Sequence, residues 1–336
     1  MLPVEIEEED YSPSDLHPPV RSEARKLDMT VPLSLAGSRF DQALAEMLPE
    51  FSRSRLAAMI KDGAISLNGQ AALPKTKLLG GESIAATLAP RAEESAFQPE
   101  DIPLNVIHED DAVVVLDKPA GLVVHPAAGN WSGTLLNGLL YRNPAVANLP
   151  RGGIVHRLDK DTSGVMVAAR TEAAQLSLVR QLQGRTMKRI YVALVRGNVP
   201  KDGTVDAAIG RHPYQRTRMA VVKEHQAGKP AVTHYRLLEK FAFHTLLECR
   251  LETGRTHQIR AHMQSIGFPL EGDLVYGPSM TGIDDEVRAV IRTFGRQALH
   301  ARKLAFEHPT TAAECTFEAP IPEDMRDLIE FVAGIG

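Results

Sequence analysis

The chain is poor in cysteine and has no long apolar run. Its two cysteines, Cys249 and Cys315, sit apart in apolar, strand-like stretches. That excludes a disulfide scaffold and CxxC metal spacing, and it fits two buried thiols in a reducing compartment. No stretch approaches the ~20 consecutive apolar residues of a membrane helix. The opening MLPVEIEEEDYSPSDLHPP is acidic and proline-rich, unlike a signal or transit peptide. A cytoplasmic location without membrane contact is the expectation. G-x-G-x-x-G, the P-loop and H-E-x-x-H are all missing, which removes the common nucleotide cradles and the zinc-protease helix. Net positive charge is missing too, since the formal charge is −4. Its distribution is uneven, however. Residues 1–30 hold eight Asp/Glu against three Lys/Arg, whereas residues 151–230 hold fifteen Lys/Arg against six Asp/Glu. A basic surface on a mildly acidic protein suits phosphate binding, and equally suits an ordinary solvated face.

With 336 residues and 43% hydrophobic content, two domains with a sizeable core are expected. Residues 1–30 have few large apolar side chains and read as a disordered tail. Residues 31–88 read as a small α/β module. SRFDQALAEML has helical spacing, with Ser38 as N-cap and Asp41 three residues on. SRSRLAAMIKDG is a second helix stopping at Gly63, and AISLNGQ is a strand entering an Asn68-Gly69 turn. Residues 89–103, with three prolines, read as a linker. From 104 to 336, strands and helices alternate unevenly. GIVHRL and GVMVAAR read as strands, ALHARKLAFEHP with AECTFEA as a hairpin, and PEDMRDLIEFV as a closing helix. The expected fold class is α+β, with a central mixed or antiparallel sheet flanked by helices.

Within IVHRLDKDTSGVMVAAR, Asp159 and Asp161 follow Arg157 directly between two apparent strands. An EF-hand loop would need Glu at its twelfth position, and Arg170 stands there. His156-Arg157-Leu158-Asp159 inverts the order of a kinase H-R-D-L loop. A hydrolase elbow would need Gly where Asp161 is. A plain turn would employ Asp161 and Thr162 in backbone hydrogen bonds, yet it leaves Asp159 beside Arg157 without a purpose. His125, His156, His257, His262 and His300 have no metal spacing and read mostly as structural. KPAGLVVHP and LETGRTHQIRAHM are equally polar and glycine-punctuated, so the three segments suggest one cleft.

Residues 31–88 resemble the S4-type RNA-binding module, through Ser38, Arg39, Asp41 and Leu44, then Ser52-Arg53-Ser54-Arg55, then Ile60-Lys61-Asp62-Gly63 and Ile65-Ser66-Leu67-Asn68-Gly69. Arg53, Arg55 and Lys61 are expected together on the polar side of the second helix, where they would grip RNA phosphates. The longer part resembles the RluA-type family of pseudouridine synthases. The resemblance is carried by KPAGLVVHP, HRLDKDTSG, KRIYVALVRG, GKPAVTHY, LETGRTHQIR, Gly272-Asp273 with Tyr276-Gly277, and RQALHA. It covers nearly all of the chain after residue 30. RHPYQRTRMAV and GKPAVTHYR look most like members that modify large-subunit (23S) ribosomal RNA.

The resemblance implies an enzyme that isomerises uridine to pseudouridine without a cofactor, reaching the base by flipping it from the stack. It makes Asp159 the nucleophile, pairs Arg255 with it, and gives Tyr191 stacking and proton transfer at C5. Arg157, Ile259 and His156 become substrate-binding residues, and Lys188 and Lys229 join Arg53, Arg55 and Lys61 as RNA contacts. The implied partners are large-subunit ribosomal RNA and a pre-ribosomal particle, with the enzyme as a monomer. Attack on the ring and attack on the sugar are both compatible with these residues. A synthase for transfer RNA or another ribosomal site, and a catalytically silent RNA-binding assembly protein, are the alternatives.

Overall fold

The computed structural model describes residues 25–88, 96–127, 129–215, 218–223 and 227–335. Two compact units emerge, and the chain passes from one to the other between Gln98 and Pro99. Most of the expected N-terminal tail lies outside the described residues, as do 89–95 of the expected linker.

The smaller unit comprises β1 (Arg25–Thr30), α1 (Phe40–Met47), α2 (Arg53–Lys61), β2 (Ile65–Leu67), β3 (Gln70–Ala71) and β4 (Ser83–Leu88). The strand order is β1-β4-β2-β3. β1 corrects the expectation of disorder to residue 30. Its apolar Leu27 and Met29 alternate with charged neighbours and pack on the unit's core while the strand pairs with β4. Phe40, Leu44, Leu56, Ile60, Ile65 and Ile84 are the centre of that core. The Asn68-Gly69 turn forms as expected. Both residues have positive φ, 50° and 73°, and they join Leu67 to Gln70. Ser38 is not the cap of α1; Arg39 occupies that position. Ser52 does cap α2, accepting from the Arg55 N–H at 3.4 Å.

The larger unit has strands β5 (Asn105–Glu109), β6 (Val113–Lys118), β7 (Ser163–Ala169), β8 (Lys188–Arg196), β9 (Gly203–Asp206), β10 (Ile209–Arg211), β11 (Met219–Val221), β12 (Val232–Lys240), β13 (His244–Leu251), β14 (Leu299–Glu307) and β15 (Glu314–Glu318). Its helices are α3 (Leu135–Arg142), α4 (Glu172–Gln183), α5 (Gln258–Ser265), α6 (Asp285–Phe294) and α7 (Glu323–Ala333). The main sheet runs β5-β6-β7-β14-β8-β13-β12-β9, with β15 added beside β14. Among the described residues only β7 and β14 pair in parallel, so the sheet is mixed, as expected. The β14–β15 hairpin and α7 also form where expected. α4 packs Ala174 and Leu178 on Val113, Val115, Val165 and Val167. α6 and α7 pack Ile291, Met325, Leu328 and Val332 around Val192, Leu194 and Leu246.

Two expectations fail locally. GIVHRL is not a strand: past a single bridge, Ile154 to Ala168, it runs beside β7 without a ladder. The His156 ring takes the Val167 N–H that a neighbouring strand would have used, at 3.1 Å. Residues 99–103 of the expected linker are docked on α3 and its cap. Glu100 accepts the Gly133 N–H with both carboxylate oxygens, and its own N–H donates to the Asn137 carbonyl.

Candidate active site

The acidic step is a tight turn pinned from several sides. Thr162 N–H returns to the Asp159 carbonyl at 3.1 Å, and β7 begins at Ser163. Lys118, at the end of β6, is 1% exposed. Its ammonium donates to the carbonyls of Pro119, Leu122 and Lys160 at 2.7, 2.9 and 2.8 Å. It therefore ties the KPAG turn to the residue following Asp159. Burial pushes its pKa down to about 7, against the pull of Asp159 and Asp161. Arg296 donates to the Asp161 carbonyl at 3.2 Å, and Gln297 to the Thr162 hydroxyl at 2.9 Å. The turn is thus held by outside donors, not by the Asp161 and Thr162 side chains capping the backbone. Gly164 sits at φ +119°, and a Cβ there would lie 2.2 Å from the Ala301 oxygen. Only glycine permits the approach of β14 that sets this turn against the sheet.

Asp159 projects with its side chain 18% exposed. Its guanidinium partner is Arg260 of α5, not Arg255. Arg260 Nη1 donates to Asp159 Oδ2 at 2.8 Å, while Nε and Nη2 hold the two oxygens of Asp273 at 2.7 and 2.9 Å. The reason lies in the segment's geometry. Arg255 precedes the helix and donates from Nε to the Pro230 carbonyl at 3.3 Å, whereas Arg260 lies in the first turn of α5. The Gln258 side chain locks the intervening loop. It accepts from the Thr253 hydroxyl and the Arg255 N–H, and donates to Val232 O and Thr233 Oγ1. Asp273 also receives the N–H groups of Val275 and Tyr276. Burial alone would raise its pKa, but the Arg260 guanidinium and the two backbone N–H groups together outweigh burial and lower it. Arg260, buried against that pair, has its own pKa raised. Its guanidinium also lies 5.0 Å from the centroid of the Tyr276 ring.

Tyr191 lies on β8, 6% exposed. Burial raises its phenol pKa, with Arg189 pulling it down and Asp159 adding to the rise. Among the described residues its hydroxyl makes no hydrogen bond. Arg189, on the same strand, was not anticipated from sequence. It is 8% exposed and passes so close to Gly254 that a Cβ there would sit 2.4 Å from its Nη1. His257 was also missed as more than structural. Its Nε2 lies 3.9 Å from Asp159 Oδ2, and its Nδ1 is 3.0 Å from the Tyr276 hydroxyl.

The remaining expected site residues divide. Ile259 is 3% exposed and Arg157 is exposed. His156 is turned to β7: besides the Val167 bond, its Nδ1 is buried without a partner, and burial pushes its pKa down to about 3. Its ring braces the turn against β7. His262 and His300 are structural, each with both ring nitrogens bonded. Lys188 is exposed and paired with Glu314 at 2.9 Å, and Lys229 is exposed. In the smaller unit, Arg53 and Lys61 are exposed and Arg55 is half-buried, its guanidinium 5.0 Å from the Phe51 ring centroid. They do not share one side of α2: at 3.6 residues per turn, Arg53 and Arg55 point roughly 200° apart. Arg53 is also oriented by buried Asp41, at 2.9 Å.

Known proteins resemble this chain over most of its length. A family model described as RNA pseudouridylate synthase matches residues 112–265, and an S4 domain model matches residues 38–84. The "Ribosomal large subunit pseudouridine synthase D" of Neisseria meningitidis serogroup B is 52% identical over 96% of this chain and 86% of its own length. The protein of the same name from Escherichia coli K12 is 51% identical over 91% of this chain and 94% of its own. The solved structure of "Human RNA Pseudouridylate Synthase Domain Containing 4" superposes with a TM-score of 0.54 at 23% identity, covering 68% of this chain and 92% of that one, a likeness of fold. The identity to full-length relatives, together with the matched segments around Asp159 and Arg260, establishes that the chain belongs to the RNA pseudouridylate synthase family.

Proposed function

We propose that the chain converts specific uridines of large-subunit (23S) ribosomal RNA to pseudouridine, with Asp159 as the nucleophile. The observation that carries this reading is the carboxylate held through one oxygen by Arg260 while its other oxygen is left for a substrate. A carboxylate nucleophile must remain ionised where water is scarce, and a fixed guanidinium favours the charged form and sets the rotamer. Arg260 takes the role first expected of Arg255; Arg255 holds the loop that begins α5.

The target base must leave its stack before Asp159 can reach it. Arg157, exposed two residues before Asp159, would fill the vacated position. Tyr191 supplies a ring for stacking on the uracil, and Ile259 an apolar floor. Because burial raises its pKa, Tyr191 enters the reaction with its proton on, as a hydrogen-bonding group and not a free phenolate. The reaction exchanges a C–N for a C–C glycosidic bond within one nucleotide, so no net oxidation accompanies it.

Arg53, Arg55 and Lys61 of the S4 unit, with Lys188 and Lys229, are the proposed phosphate contacts. The relatives' names favour large-subunit RNA over transfer RNA, and the Asp159 carboxylate held by Arg260 favours an enzyme over a silent assembly protein. The reading includes a monomer working in the cytoplasm on free RNA or on a pre-ribosomal particle. Mapping pseudouridine in ribosomal and transfer RNA from cells with and without the protein tests it. Loss of sites confined to large-subunit RNA is expected; loss confined to transfer RNA contradicts the target.

A further inference from the structure

We infer that His257 is a second positioning residue for Asp159, holding the same Oδ2 as Arg260 so that Oδ1 is the oxygen offered to the nucleotide. This rests on the reading of Asp159 as nucleophile. Three contacts carry it. The backbone N–H of Met219 donates to the Tyr276 hydroxyl at 2.7 Å. With that oxygen engaged as an acceptor, its own hydrogen is assigned to the neighbouring His257 Nδ1, 3.0 Å away. Nδ1 is then the acceptor nitrogen of the ring, so a neutral imidazole carries its proton on Nε2. Nε2 is the nitrogen aimed at Asp159, 3.9 Å from Oδ2.

The ring is neutral because burial lowers its pKa, although Asp159 pulls the other way. Tyr276 keeps the hydrogen it donates, because burial raises its phenol pKa. The contact to Asp159 is longer than a hydrogen bond, as such contacts often are before substrate tightens the site. His257 is also one of the few non-glycine residues in the left-handed region, at φ 55°, immediately ahead of α5. Strain of that kind persists where the surroundings impose it. Here it turns the ring back between Asp159 and Tyr276, edge-on to the Tyr276 ring with centroids 5.6 Å apart.

The test compares two substitutions whose structural and positioning consequences run in opposite order. Asn accepts a left-handed backbone better than Gln does, so a purely structural role makes His257→Asn the milder change. Gln can place an amide N–H where Nε2 stands and Asn cannot, so a positioning role makes His257→Gln the milder change. Single-turnover rates and RNA affinities are measured for both in the full-length protein, beside Asp159→Ala. Expected is a fall of about tenfold or more for Asn, toward the ~10² that a 1 Å misplacement costs. Gln should recover most of it, and both variants should bind RNA as the wild type does. A wild-type rate for Asn, or Gln no faster than Asn, overturns the inference. Full turnover in Asp159→Ala would instead overturn the nucleophile reading, whatever the His257 variants do. Should either variant fail to fold, nitrogen-15 NMR of the wild-type protein decides. A His257 ring protonated on Nε2 supports the inference, and one protonated on Nδ1 overturns it.

Discussion

Asp159 and Asp273 share one guanidinium: Arg260 gives one nitrogen to the first and two to the second. The buried Asp273 end is the anchor, and the half-open Asp159 end is the working one. Arg260→Lys keeps a charge but cannot span both carboxylates. It should lower the single-turnover rate by about 10²-fold or more through misplacement of Asp159. Arg260→Met should in addition destabilise the fold by roughly 3–5 kcal/mol, because it leaves the Asp273 charge buried and unpaired. Denaturant melts and single-turnover assays separate the two. Equal stability of the Met variant and the wild type would contradict this account of the anchor.

Lys118 gives a pH prediction of definite sign. The folded protein releases this proton near pH 7, whereas the unfolded chain holds it to about 10.5. Between those values the unfolded state binds more protons, so stability should rise with pH, by at most about 1.4 kcal/mol per unit from this group. Lys118→Met should remove that slope. It should also cost stability throughout, since the turn carbonyls lose three N–H donors below pH 7 and two above it. Urea unfolding from pH 7 to 10 checks both, and a wild-type slope retained in the Met variant would exclude Lys118 as its source.

The legibility of this chain follows from how local each signal is. The Asn68-Gly69 turn, the β14–β15 hairpin and α7 depend on nearby residues and stand where periodicity and turn chemistry put them. α6 could have been found as well: Val287, Val290, Ile291 and Phe294 have helical spacing, and all belong to one core cluster. The short motifs pointed to Asp159, but choosing its partner required three dimensions. Arg255 and Arg260 lie in one motif, and only the direction of α5 decides between them. Lys118 resembles any surface lysine before a proline until its three carbonyls are in view. GIVHRL has the composition of a strand, and one histidine ring removes its ladder.

Tyr191→Phe should keep stacking and lose the hydroxyl. If that hydroxyl handles the C5 proton, the single-turnover rate falls by about 10²–10⁴-fold while RNA affinity stays constant. An unchanged rate would leave Tyr191 with packing alone.

The S4 unit has its own core, and the chain leaves it between Gln98 and Pro99. Deleting residues 1–98 should therefore spare the Asp159 cleft. The shortened protein should act on a short isolated hairpin, yet lose its advantage on long ribosomal RNA. Each lost phosphate contact should flatten the salt slope of binding by ~0.7–0.9. Equal slopes for full-length and shortened protein would mean that Arg53, Arg55 and Lys61 only face solvent.

The most direct measurement is pseudouridine formation by Asp159→Asn on large-subunit RNA under single-turnover conditions, with RNA binding and thermal unfolding followed in parallel. Asn keeps the size of the side chain and one oxygen toward Arg260 while removing the carboxylate. The account predicts a folded protein that binds RNA and forms no product. Turnover near that of the wild type would contradict it.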